Sequence, residues 1–193
     1  MKKICVFCGA NTGASPIYVA TARAVGERLA RAGICVIYGG GGCGLMGAVA
    51  RGALEAGGEA IGIIPESLLG VEPPPGFLTE LRVVRSMHER KAMMVDLADG
   101  FVALPGGLGT LDEMSEVLTW AQLGLHAKPF GLLNLEGYFD LLIAWFDHAT
   151  SQRFIREEHR AMILVDSDLD RLLERLAHCE VPRLSPLVDS SLV

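Results

Sequence analysis

Short apolar runs alternate with longer amphipathic stretches along almost the whole 193-residue chain, and glycine stands at the joins. The runs are Ile4–Phe7, Ile34–Tyr38, Ala60–Ile64, Phe101–Leu104, Phe130–Leu133 and Met162–Val165, and Leu81–Val84, interrupted by Arg82, reads as a further short strand. Several are apolar at successive positions, as strands buried between two helix layers must be. Helix signals fill the gaps. Ser15 precedes Pro16, a favoured cap and first position, and that helix stops at Gly33. Further helices are expected from Leu45 to Ala56, from Ser86 to about Asp99, from the second glycine loop to Leu123 and from Tyr138 to Thr150, with a last one capped by Ser167. Residues 65–80, with Pro73, Pro74 and Pro75, read as an irregular connection. This alternation predicts a single α/β Rossmann-like domain over residues 1–179, a mostly parallel sheet with helices on both faces. Residues 180–193 read as a loose C-terminal tail. In such sheets ligands sit beyond the carboxyl ends of the strands, and both glycine loops fall there.

Composition removes several function classes. Half of the residues are hydrophobic, which excludes a disordered chain. Lys and Arg number 17 against 23 Asp and Glu, so the net charge of −6 argues against a nucleic-acid polymer as partner. A membrane span needs about 20 apolar residues. The nearest stretch, Phe130–Ala149, is broken by Asn134, Glu136, Asp140, Asp147 and His148. No secretory signal opens the chain, and five cysteines are an odd number for a disulfide framework. A cytoplasmic protein is expected.

Three constellations carry chemistry. The loop GGGGCGLMG (39–47) contains G-x-G-x-x-G at Gly42, Gly44 and Gly47, with Glu66 about where a dinucleotide site needs an acid. A ligand-free tight turn explains the same glycines equally well. The loop LPGGLGTLDE (104–113) is sharper: Gly106, Gly107 and Gly109 bare the backbone, and Thr110 adds a hydroxyl. That arrangement suits a phosphate held at a helix start, and no Lys follows to make it a Walker loop. Thr110-x-x-Glu113 is also a capping box, so Glu113 is either a cap, a catalytic carboxylate, or both. In SMHERKAMM (86–94), Ser86-x-x-Glu89 is a second capping box. Arg90 shares a helical row with Met87, Met94 and Leu97, and a charge in that row needs an anion unless it reaches the surface. Cys5 and Cys8 fall in a strand at odd spacing and point to opposite faces, so they read as core. The histidines lack metal-ligand spacing and no G-x-S-x-G elbow occurs.

CVFCGAN (5–11), YGGGGCGLMGAVA (38–50), MHERKAMM (87–94), ALPGGLGTLDE (103–113) and TWAQLGLHAKP (119–129) together resemble the Lonely Guy family, from about Lys3 to Cys179. The pair MHxRK and PGGxGTxxE, in that order, is specific. The resemblance implies a cytokinin riboside 5′-monophosphate phosphoribohydrolase, a type long labelled lysine decarboxylase. It implies hydrolysis of the N-glycosidic bond of a nucleoside 5′-monophosphate, giving free base and ribose 5-phosphate. It places the catalytic pair on Arg90 and Glu113. Nucleotide contacts fall on Glu72, Arg90, Lys91, Gly106, Gly107, Leu108, Gly109, Thr110, Leu111, Asp112, Glu113 and Thr119. It also implies a homodimer without metal or organic cofactor. Asp112 stands where plant members have Glu, and GVEPPPGF (70–77) differs from their loop, so AMP and a cytokinin nucleotide both stay open as substrate. A carrier of nucleotide or molybdenum cofactor is the alternative from another class. A nicotinamide oxidoreductase and a pyridoxal-phosphate decarboxylase rank below it.

Overall fold

The computed structural model describes residues 1–71, 74–179 and 181. Seven strands form one sheet: β1 (Lys3–Phe7), β2 (Cys35–Tyr38), β3 (Ala60–Pro65), β4 (Glu80–Val84), β5 (Gly100–Ala103), β6 (Phe130–Leu133) and β7 (Ile163–Asp166). Their order is β4-β3-β2-β1-β5-β6-β7, and every pairing is parallel. The inner strands β2, β3, β5 and β6 are buried at every position, which their unbroken apolar runs require. The chain winds outward from β1 through β2, β3 and β4, then returns to lay β5 on the other side of β1. The reversal between β1 and β5 opens a crevice at their carboxyl ends, where doubly wound sheets place ligands.

The helices are α1 (Pro16–Arg31), α2 (Gly44–Glu55), α3 (Met87–Leu97), α4 (Leu108–Gln122), α5 (Asp140–Ser151), α6 (Glu157–Ala161) and α7 (Leu169–His178). Two hydrophobic cores, one on each face of the sheet, hold them. One joins α1, α2 and α7 to Ile4, Val6, Cys8, Val36 and Tyr38. The other joins α3, α4 and α5 to Cys5, Phe7, Cys35, Ile37 and Phe101. Cys5 and Cys8 thus face opposite cores, and burial pushes both thiols up from their ordinary range. On the first face, α1 and α2 meet backbone to backbone. A Cβ on Gly26 would lie 2.0 Å from the Val49 carbonyl oxygen, and one on Gly52 2.0 Å from that of Arg23.

Helix starts follow local chemistry. Ser15 Oγ accepts from the Ile17 amide at 3.4 Å, and Ser86 Oγ accepts from the Glu89 amide at 3.1 Å. Glu89 reaches back to the Arg85 amide at 2.9 Å, one residue beyond the position a capping box predicts. Two expectations are corrected. The cap of α7 is Asp168, not Ser167: its carboxylate accepts from the Arg171 amide at 2.9 Å. And α4 begins at Leu108 with Gly107 as its cap residue, so Thr110 lies inside the helix and is not its N-cap. The five-residue α6 was not expected, being too short to show a helical period. Among the described residues no helix is long and apolar enough to cross a membrane. The expected loose tail lies, except for Val181, outside the described residues.

Candidate active site

At the β1–β5 reversal lies a cavity of about 450 Å³, a size typical of small-molecule sites. Its walls come from the loop after β1 (Cys8 to Asn11, and Gly13), the starts of α2, α3 and α4, and Tyr18 and Tyr138.

Arg90 and Glu113 meet at its floor. Arg90 Nη2 lies 3.2 Å from Glu113 Oε1, with side-chain exposures of only 6% and 10%. Arg90 comes from the first turn of α3, where Ser86 fixes the helix start. Glu113 comes from the second turn of α4. The buried cation in the apolar row therefore has the anionic partner its position demands. Space for the guanidinium is made just after β2: a Cβ on Gly39 would lie 1.9 Å from Arg90 Nη2. Arg90 Nη1 contacts Met87 Sδ at 3.7 Å, and its Nε has no hydrogen-bond partner among the described residues. The surface position considered for Arg90 is excluded.

Beside the pair, α4 starts without a side-chain cap. Its first amides have no partner within the helix, and Gly106, Gly107, Leu108, Gly109 and Thr110 all line the cavity. Bare glycines, an uncapped helix start and the positive end of its dipole make an anion cradle. The first glycine loop is different. The Leu45 and Met46 amides at the start of α2 donate to the Gly9 carbonyl at 3.0 and 3.4 Å. Those amides are committed to the neighbouring loop, and Gly44 and Gly47 serve close packing against Ala10 and Gly42. Glu66 lies past the end of β3 and takes no part in the cavity. Nothing in this geometry favours a dinucleotide.

Residues 46–176 match the family described as possible lysine decarboxylase. The cytokinin riboside 5′-monophosphate phosphoribohydrolase of Oryza sativa subsp. japonica is 47% identical over 163 residues, 84% of this chain and 67% of the relative. That of Rhodococcoides fascians is 45% identical over 170 residues, 88% of this chain and 86% of the relative. The chain belongs to the Lonely Guy family. Solved structures of more distant proteins share its architecture. The molybdenum cofactor binding protein of Rippkaea orientalis superposes with a TM-score of 0.69 at 24% identity, over 92% of this chain and 96% of its own. The molybdenum cofactor carrier protein of Chlamydomonas reinhardtii does so with 0.67 at 22%, over 92% and 98%. These likenesses concern the fold alone.

Not every position that the Lonely Guy pattern assigns to the ligand reaches the cavity. Arg90, Gly106, Gly107, Leu108, Gly109, Thr110, Asp112 and Glu113 line it. Lys91 is buried but turned to ion pairs with Asp112 and Glu116, both at 3.1 Å, which tie α3 to α4. Leu111 is exposed and outside the cavity wall. Thr119 donates to the Ser115 carbonyl at 2.7 Å and lines a separate small depression near α5 and α6. Glu72 lies outside the described residues. The structure adds residues that sequence reasoning passed over: Gly39, Asn11, Tyr18, Met87 and Tyr138. The loop after β1 was detectable, because its glycines Gly9 and Gly13 follow a strand just as those of the loops at 39–47 and 104–113 do. Among the described residues no group of three or more His, Cys, Asp and Glu could hold a metal ion.

Proposed function

We propose that the protein hydrolyses the N-glycosidic bond of a purine nucleoside 5′-monophosphate, AMP or its N6-substituted cytokinin counterpart, to free base and ribose 5-phosphate. The observation that carries this reading is the buried Arg90–Glu113 pair lying in one cavity with the uncapped start of α4. The 5′-phosphate binds the amides of Gly107 to Thr110, which anchors the ribose beside Glu113. The bond from C1′ to the base nitrogen breaks with its electron pair leaving to the base. Positive charge grows on the sugar, as in other glycosidic cleavages. The Glu113 carboxylate stands next to that charge and stabilises it. Water then bonds to C1′, and one of its protons ends on the departing base. Arg90 holds Glu113 in place by charge and, from a water-poor floor, faces the same ligand. Names carried by relatives at 42–47% identity support the reaction.

The reaction needs no metal or organic cofactor, because a phosphate anchor and a carboxylate suffice for an oxocarbenium-like path. A cytoplasmic homodimer completes the proposal. The deciding experiment is liquid chromatography of bases released from AMP and from N6-isopentenyl-AMP. Free base from wild type, lowered at least about a hundredfold in Arg90→Ala and Glu113→Ala, is the expected result. Nucleotide binding without base release would favour a carrier instead.

A further inference from the structure

The peptide between Gly106 and Gly107 opens the phosphate cradle, and it has a glycine on either side. Nothing lies within 4 Å of where a Gly107 Cβ would be. Two glycines leave a peptide plane free to turn over. Yet that plane is held by another residue of the cavity wall. Tyr138 Oη donates to the Gly106 carbonyl at 2.5 Å, over 32 residues of sequence. The carbonyl of Gly106 and the amide of Gly107 belong to one planar trans peptide and point in opposite directions. Fixing the first therefore aims the second.

Tyr138 reaches its place by a costly route. Between β6 and α5, Glu136 and Gly137 both take positive φ, 49° and 72°. A left-handed conformation is strained for a non-glycine residue, and such strain gathers at working sites. Asn134 braces the turn. Its Oδ1 accepts from the Phe139 amide at 2.8 Å, and its Nδ2 donates to Asp140 Oδ1 at 2.7 Å. The ring itself stands edge-on to Tyr18, with centroids 5.9 Å apart, and to Phe139 at 5.1 Å. Ring packing, turn strain and hydroxyl all converge on one carbonyl.

We propose that Tyr138 is a positioning residue that locks the Gly106–Gly107 peptide so that the Gly107 amide serves the substrate phosphate. It acts on phosphate affinity and leaves bond cleavage alone. The inference rests on the phosphate cradle proposed above, and its test is separable from hydrolysis. Titration calorimetry with ribose 5-phosphate, which needs no turnover, is run on wild type, Tyr138→Phe and Asn134→Ala. The lost hydrogen bond predicts about three- to tenfold weaker binding in Tyr138→Phe, and a similar loss in Asn134→Ala, whose turn is released. With AMP, KM rises by the same factor and kcat stays within about twofold. Affinity for adenine, which lacks the phosphate, stays unchanged. Equal losses for ribose 5-phosphate and adenine would overturn the proposal, as would a fall in kcat at constant KM. If wild type binds ribose 5-phosphate and Tyr138→Phe binds it less, while neither releases base, the hydrolase reading fails and the role of Tyr138 stands. If wild type does not bind ribose 5-phosphate, the cradle and this inference fall together.

Discussion

Arg90 shows how far a single residue can be read before folding. Its row with Met87, Met94 and Leu97 demanded a buried anion, and the structure supplies Glu113 at 3.2 Å. Glu113 and a bound phosphate were both candidates for that anion, and the sequence left the two open because Glu113 comes from another helix. Thr110-x-x-Glu113 even suggested a competing duty. That suggestion failed for a physical reason: Gly109 looked like loop, but glycine is tolerated in the first helical turn. The helix therefore starts at Leu108 and carries Glu113 inward. The pair makes a stability prediction at this scale. Removing one member of a buried pair typically costs about 3–5 kcal/mol, whereas removing both can be nearly neutral. Glu113→Leu is expected to lower the urea midpoint strongly, and Arg90→Met/Glu113→Leu to regain most of the loss while staying inactive. Additive losses in the double variant would mean that the pair is not coupled.

At the scale of elements, the inner strands were legible because strands buried on both faces are apolar throughout. Helix α6 was not, since five residues cannot display a period. Tyr18 and Tyr138 were invisible as a pair, being brought together only by the order of β1, β5 and β6. The contact of α1 with α2 carries a second prediction. Gly52→Val places its Cβ 2.0 Å from the Arg23 carbonyl oxygen, so the variant is expected to lose at least about 1–3 kcal/mol in urea unfolding. An unchanged midpoint would show that the two helices separate without cost. The joint of β7 and α7 gives a third. The Arg171 guanidinium and the Asp168 amide hold the Asp166 carboxyl down at about 2. A carboxyl lowered in the folded state stabilises fully above its unfolded value, near 4. That contribution fades as pH falls through about 2. The melting-temperature gap between wild type and Asp166→Asn should therefore be widest above pH 5 and close between about pH 4 and 2. A constant gap would refute the assignment.

For the whole molecule, the alternation of runs and glycine joins was enough to predict a parallel sheet with two helix layers, as observed. Strand order was not derivable, and with it the location of the reversal that creates the cavity. That reversal sets two helix starts side by side, and only one of them is open to anions. The amides of Leu45 and Met46 are already taken by the Gly9 carbonyl, so a second or third phosphate turned toward α2 meets an acceptor oxygen where it needs a donor. Base release from ADP and ATP is accordingly expected to be at least about tenfold slower than from AMP at equal concentration, measured by the same chromatography. Equal rates would show that the chain beyond the first phosphate points to solvent. Where the slower release is observed, one occupied carbonyl at the start of α2 is what confines the hydrolase to substrates with a single phosphate.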